Sequence, residues 1–116
     1  GRVDASKLKV KSIGDLFVKP DLGKAFQLMM YALMYHHDVS KHHSICSGFV
    51  STREKNAPFN PLLMLDSEVV DPELIAGFEE RLMQMLREIH DQEVPYRQTE
   101  DTKLCGFCTY KAICNR

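Results

Sequence analysis

The chain has 116 residues, 44% hydrophobic and 27% charged, a length and balance suited to one small globular domain. Its formal net charge of −1 excludes a global basic field for holding nucleic acid, so any contact with DNA must rest on local groups. No apolar run approaches the roughly 20 residues that cross a bilayer, and no basic stretch leads into a hydrophobic signal region, so a cytoplasmic location with reduced cysteines is expected.

Residues 1–11 alternate apolar and polar side chains (Val3, Leu8, Val10) and predict an extended segment or edge strand. Ser12 with Asp15 three positions on has the form of a capping box, which predicts a short helical turn over 12–18, ended by Pro20. Residues 22–37 predict a helix: Leu22, Phe26, Met29, Met30 and Leu33 recur at spacings of three and four, with Asp21 as N-cap. Gln27, Tyr31 and Tyr35 follow the same four-residue step on a second face.

After a polar connection over 38–44, residues 45–52 predict a strand carrying Ile45, Phe49 and Val50, with Gly48 marking a bulge or a close backbone approach. Residues 53–61 predict a loop, with Asn56, Pro58, Asn60 and Pro61 as breakers, and 62–65 a further short strand. Asp71-Pro72-Glu73 is a helix start: a capping carboxylate, then a proline where no amide hydrogen is needed, then an acid near the positive end of the dipole. That helix is expected to reach His90, burying one stripe of Ile75, Phe78, Leu82, Met85, Leu86 and Ile89 and leaving Glu79, Glu80, Arg81, Arg87 and Glu88 in water. Beyond 94–96 comes a polar stretch, 97–103, and a cysteine segment closed by a short helix over 110–115. The fold class is therefore α+β: two main helices, a small incomplete sheet and a Cys-containing C-terminal segment, read as a single domain over 1–116 whose residues 105–116 form a metal-binding tail.

Cys105, Cys108 and Cys114 give C-x2-C-x5-C. Two thiolates separated by two residues curl round one metal, Gly106 allows the tight turn, and a third thiolate arrives from the next turn. Zinc or an iron–sulfur cluster usually takes four ligands, so the fourth is Cys46, a histidine, or a cysteine outside this chain. Cys46 falls in the predicted strand, where a small buried thiol is the plain expectation. His36, His37, His42 and His43 read as a solvated turn, because adjacent histidines on a helix point about 100° apart and make no bidentate pair. Met29, Met30, Met34, Met83 and Met85 read as core filler. Gln27 and Tyr31, four apart, project amide and phenol side by side from one helix face; alone, such a Q-x3-Y pair describes any half-buried helix surface.

Taken together, Lys11-Ser12-Ile13-Gly14-Asp15-Leu16-Phe17, then Ala25-Phe26-Gln27-Leu28-Met29-Met30-Tyr31-Ala32, then Val94-Pro95-Tyr96-Arg97-Gln98-Thr99-Glu100-Asp101, then C-x2-C-x5-C, resemble the C-terminal part of PD-(D/E)xK nuclease domains of the RecB/AddB-like kind, in family order over nearly the whole chain. The resemblance implies a fragment of a restriction-endonuclease-like fold. In that family a G-x-x-D motif and a D-x-K motif, commonly followed by Thr-Gly, bind Mg²⁺ or Mn²⁺ for DNA hydrolysis ahead of the Q-x3-Y helix. Gln27 and Tyr31 would support that centre. The cysteine tail would hold a structural 4Fe-4S cluster in the intact parent, or stand empty or take zinc here, with a fourth cysteine from upstream of the catalytic motifs.

The sequence departs from the family at one decisive point: no D-x-K precedes the Q-x3-Y helix, since Ala5, Lys7 and Lys9 stand two before Lys7, Lys9 and Lys11. Gly1-Arg2-Val3-Asp4 fits G-x-x-D only superficially, because too few residues separate Asp4 from Lys11-Ser12-Ile13 for the intervening strand and D-x-K. The better alignment makes Gly1 the glycine after D-x-K-Thr. The expectation is a fragment of a DNA repair or recombination exonuclease or endonuclease, inactive alone, whose parent engages DNA and a helicase-like region or subunit. A missing central sheet would leave an exposed edge, which favours a homodimer or domain swap of the fragment. The alternative is a small metal-stabilised interaction module without catalytic activity.

Overall fold

The computed structural model describes residues 4–38 and 43–115. Gly1 and Val3, and the Lys41-His42 part of the histidine-rich turn, lie outside them. The chain divides into two compact units, Gly1–Leu86 and Arg87–Arg116. The architecture is mixed, with four α-helices and two small sheets among the described residues.

The first unit opens differently from the extended segment predicted. Asp4 accepts hydrogen bonds at Oδ1 from the Ser6 amide (3.0 Å) and the Ser6 hydroxyl (2.6 Å), which turns the chain into a 3-10 helix over Ala5–Leu8. Only Lys9–Val10 is strand (β1). The short helix α1 spans Asp15–Val18, and the Ser12 hydroxyl accepts from the Asp15 amide at 3.3 Å. The capping box is half formed, since the Asp15 carboxylate turns to Lys19 (2.9 Å). A 3-10 turn, Pro20–Leu22, leads into α2, Gly23–Asp38. Asp21 thus lies within the preceding turn rather than as the cap of α2, its carboxylate 3.5 Å from the Lys7 ammonium.

Strand β2 (Gly48–Val50) pairs antiparallel with β3 (Phe59–Pro61), placing Gly48 opposite Pro61 and Val50 opposite Phe59. The strand is shorter than the 45–52 predicted, with Ile45 held apart in an isolated bridge to Val70. Its partner comes out of the segment expected to be loop. Proline is tolerated there because β3 is an edge strand, where a missing amide hydrogen breaks no ladder. Gly48 is a close approach: a Cβ there would stand 2.6 Å from the Asn60 carbonyl oxygen and from the Phe59 ring. Strand β4 (Leu63–Met64) pairs parallel with β1, Lys9 opposite Leu63 and Val10 opposite Met64.

Helix α3 spans Pro72–His90, and the Asp71 carboxylate accepts from the Leu74 amide at 2.8 Å, as the Asp-Pro-Glu start predicts. Its predicted stripe is only half covered. Ile75 and Phe78 are buried, whereas Leu86 and Ile89 are exposed. The core gathers Leu8, Val10, Leu28, Met29, Leu62, Met64, Val70, Ile75 and Phe78. Phe17, Phe26 and Phe78 lock α1, α2 and α3 together with ring centroids 5.3 to 5.5 Å apart, edge-on or tilted as aromatic quadrupoles prefer. Met29 is core, but Met34 and Met83 are exposed and are not core filler. No helix among the described residues is long and apolar enough to cross a membrane.

The second unit has one short helix, α4 (Thr102–Cys105), capped by Asp101, whose Oδ1 accepts from the Lys103 amide at 3.0 Å. The helix predicted over 110–115 is a run of turns instead, closed by Asn115 in the left-handed region at φ 54°. The helix forms earlier because the side-chain cap is at Asp101.

Candidate functional site

The periodicity of α2 sorts its residues onto two faces. Ala25, Leu28, Met29, Ala32 and Leu33 are buried, which leaves Lys24, Gln27, Tyr31 and Tyr35 together on the outer side. On that side the Gln27 amide nitrogen Nε2 donates to the Tyr31 phenol oxygen across 2.7 Å. The four-residue step brings the two groups into contact as the sequence predicts, and Tyr35 follows one turn on.

Beside this face the segment from His43 to Ser47 forms an opposing wall. Ser47 Oγ donates to the Leu28 carbonyl of α2 at 3.2 Å, and Ile45 exchanges backbone hydrogen bonds with Val70 at 2.9 and 2.7 Å. Between wall and helix runs a groove of about 670 Å³ lined by Tyr31, Tyr35, His43, Ser44 and Cys46 among others. Cys46, expected to be a small buried thiol in a strand, is exposed and precedes the strand. Its exposure follows from the wall being bent outward, with Ile45 bridged on one side and β2 starting only at Gly48. Ser44 and Ser47 were not singled out from the sequence, and no periodicity marks them there.

Among the described residues no group of acidic side chains is gathered into a catalytic metal centre. Asp4 sits on the surface as a cap, and the Ser6 hydroxyl and amide beside it hold its carboxyl below the ordinary value of 3.8. Asp15 and Asp21 face lysines, Asp71 caps α3, and Glu79 meets His37 at 3.1 Å. With no D-x-K ahead of the Q-x3-Y helix as well, the described residues do not fit a catalytic Mg²⁺ or Mn²⁺.

In the second unit Cys105, Cys108 and Cys114 border one small cavity of about 180 Å³, shared with Leu104, Thr99 and Gln98. Asp101 caps the helix that carries Cys105, and the Cys108 amide donates to the Cys105 carbonyl at 3.1 Å, folding the C-x2-C segment into a turn. Gln98 Nε2 donates to the Cys114 carbonyl at 3.4 Å, which ties the third cysteine back. Among the described residues of this unit, Cys105 and Cys114 are the two that are partly buried; every other one is exposed, Phe107 almost completely at 98%. Among the described residues no three His, Cys, Asp or Glu side chains are close enough to hold a single metal ion. The cavity combines three thiols, which are soft donors, with largely apolar surroundings. Gln98 enters the sequence reading only as part of the 94–101 stretch, and its place in this cavity, with that of Leu104, is shown by the structure.

No curated protein and no solved structure matches the chain significantly. The family model described as the PD-(D/E)XK nuclease superfamily matches residues 8–115, a span that takes in β1, the Gln27–Tyr31 pair and all three tail cysteines. The chain belongs to the PD-(D/E)XK nuclease superfamily.

Proposed function

We propose that these residues form the supporting part of a RecB/AddB-like, divalent-metal-dependent DNA nuclease that acts in repair or recombination. In this reading the acids and lysine that perform hydrolysis come from sequence outside the 116 residues, and the chain by itself does not cut. The observation that carries it is the 2.7 Å Gln27–Tyr31 contact, set on the outer face of a helix whose other side is wholly committed to the core. Helical geometry alone permits such a contact, and the family match gives it its meaning: beside a metal centre a fixed amide–phenol pair would orient the groups around it.

The cysteine tail fits the same reading as a structural clasp. The unit that carries it has no buried side chain among its described residues, and segments without a core of their own depend on disulfides or metals for order. Thiols that border one cavity without converging on one point suit a group with several metal atoms, each cysteine binding a different one. The fourth ligand would come from the same intact protein.

The test compares two polypeptides. The 116-residue chain, incubated with linear DNA and Mg²⁺ or Mn²⁺, is expected to leave it intact. A longer product of the same reading frame that includes a D-x-K motif is expected to degrade it, and to lose most of that activity on Gln27→Ala. Metal-dependent degradation by the chain itself, abolished by Asp4→Asn, would overturn the reading. So would a reading frame without any upstream D-x-K or further cysteine, which would favour a metal-stabilised interaction module.

A further inference from the structure

Between Asn56 and Glu80 the chain holds no lysine, arginine or histidine, yet it holds Asp66, Glu68, Asp71, Glu73, Glu79 and Glu80. A net charge of −1 thus conceals one strongly acidic stretch. Among the described residues Asp66, Glu68 and Glu73 form no ion pair, whereas Glu79 meets His37. Within the first unit this stretch borders an open groove of about 560 Å³, apolar at Ile13, Met64, Leu65, Val69 and Leu74 and acidic at Asp71 and Glu73. A tight turn forms part of its rim: Met64 and Ser67 exchange backbone hydrogen bonds at 2.8 and 2.9 Å, closing a two-residue loop over Leu65 and Asp66. Both loop residues are left-handed, at φ 52° and 64°. Aspartate tolerates that conformation, but leucine is strained in it, and the Leu65 side chain is also 58% exposed. Neither the turn nor the core accounts for a leucine there, and a strained residue that the fold does not call for points to a contact made with something else.

We propose that this groove docks a segment of a partner protein that brings apolar side chains flanked by lysines or arginines, with Leu65 as the apolar contact and Asp66, Glu68 and Glu73 as the acidic rim. Charge selects the occupant. The phosphates of nucleic acid and the headgroups of anionic lipid carry the sign that this surface repels. Among the described residues no three acids converge on a single cation, so a bare metal ion is not what the rim is built for. A second copy pairing through the same face would set acid against acid. A polypeptide, by contrast, carries cations and large apolar groups a few residues apart, which complements an apolar floor with an acidic edge. Such a contact excludes water at its centre and stays wet at its charged rim, so its affinity falls as salt rises.

The experiment uses the full 116-residue chain, with its thiols kept reduced, and labelled dodecapeptides of matched length. One is made of lysines and leucines, a second has its leucines replaced by serines, and a third has its lysines replaced by glutamates. By anisotropy the first should bind, the second should bind at least about tenfold more weakly, and the third should not bind. Leu65→Gly removes the apolar contact and relieves the turn, so affinity for the first peptide should fall about tenfold while the melting temperature rises. A leucine with a purely structural role would not move the two in opposite directions. Asp66→Asn combined with Glu68→Gln should weaken binding several-fold and flatten its dependence on salt, with circular dichroism checking that the variant is folded. Unchanged affinity in either variant overturns the proposal, as does equal binding of the serine or glutamate peptide, or no binding at all. So does a chain that sediments as a dimer and becomes monomeric on Leu65→Gly, because a second copy would then fill the groove. None of these outcomes bears on hydrolysis by the longer polypeptide, so the two readings fail separately.

Discussion

Gln27 and Tyr31 are joined side chain to side chain at 2.7 Å, one position away from Leu28, which points the opposite way into the core. Neighbours in sequence thus answer to different demands. Tyr31→Phe removes an exposed hydrogen bond and should change unfolding free energy by no more than about 0.5 kcal/mol, whereas Leu28→Ala opens a buried site and should cost about 2–5 kcal/mol. Urea melts of the two variants give the comparison. Similar losses in both would mean that the pair serves the fold.

At Gly48 the constraint is steric. The missing Cβ leaves room for the Asn60 carbonyl and the Phe59 ring at 2.6 Å, so Gly48→Ala must push the β2–β3 hairpin apart. A loss of about 1–3 kcal/mol is expected by chemical denaturation, typical of an overpacked site. Gly23, where nothing lies within 4 Å of an added Cβ, supplies the control: Gly23→Ala should be neutral or stabilising.

The α3 cap offers a graded test. Asp71→Ala removes the acceptor for the Leu74 amide and should cost about 1 kcal/mol, while Asp71→Asn keeps an acceptor and should cost much less. Equal losses in the two would assign the effect to the carboxylate's charge near the helix dipole.

Asp4 supplies a dependence on pH. Its hydrogen bonds to Ser6 favour the ionised form, so its folded pKa lies below 3.8. A depressed acid contributes stability that is present above its unfolded pKa and is lost as pH falls through the folded value. The loss is therefore confined to pH below about 4. In an NMR titration, Ser6→Ala should move the Asp4 midpoint up toward 3.8; a midpoint unmoved by that change would remove the Ser6 hydroxyl as a cause and leave the backbone amide.

For the tail, Cys105→Ser, Cys108→Ser and Cys114→Ser in the intact protein should each lower bound iron per chain and speed proteolysis within residues 97–104. Full iron retention in any of the three would remove that cysteine from the ligand set. The chain's cofactor-free stability should respond by little, because none of the three side chains is fully buried.

Much of this was legible in the residues, and the failures have physical causes. Asp71-Pro72-Glu73 predicted α3 to within its end because cap, proline and dipole all act locally. The Gln27–Tyr31 contact was legible for the same reason: helical geometry alone brings positions four apart together. Tertiary pairing decided the rest. Phe59–Pro61 reads as loop until β2 lies beside it, and the exposed half of the α3 stripe cannot be told from the buried half by periodicity. Cys46 looked buried because it falls in the predicted strand with Ile45, Phe49 and Val50; β2 starts only at Gly48, and Ile45 pairs instead with Val70, far away in sequence.

The parallel pairing of β1 with β4 has a kinetic consequence. A hairpin such as β2–β3 closes a short loop, but Lys9 meets Leu63 only after the whole intervening chain, α2 included, has been brought round. Such contacts give no stabilisation until that closure entropy has been met, so they form late and slowly. Until then Leu8, Val10, Leu62 and Met64 remain uncovered, and the chain is most prone to aggregate during those moments of folding.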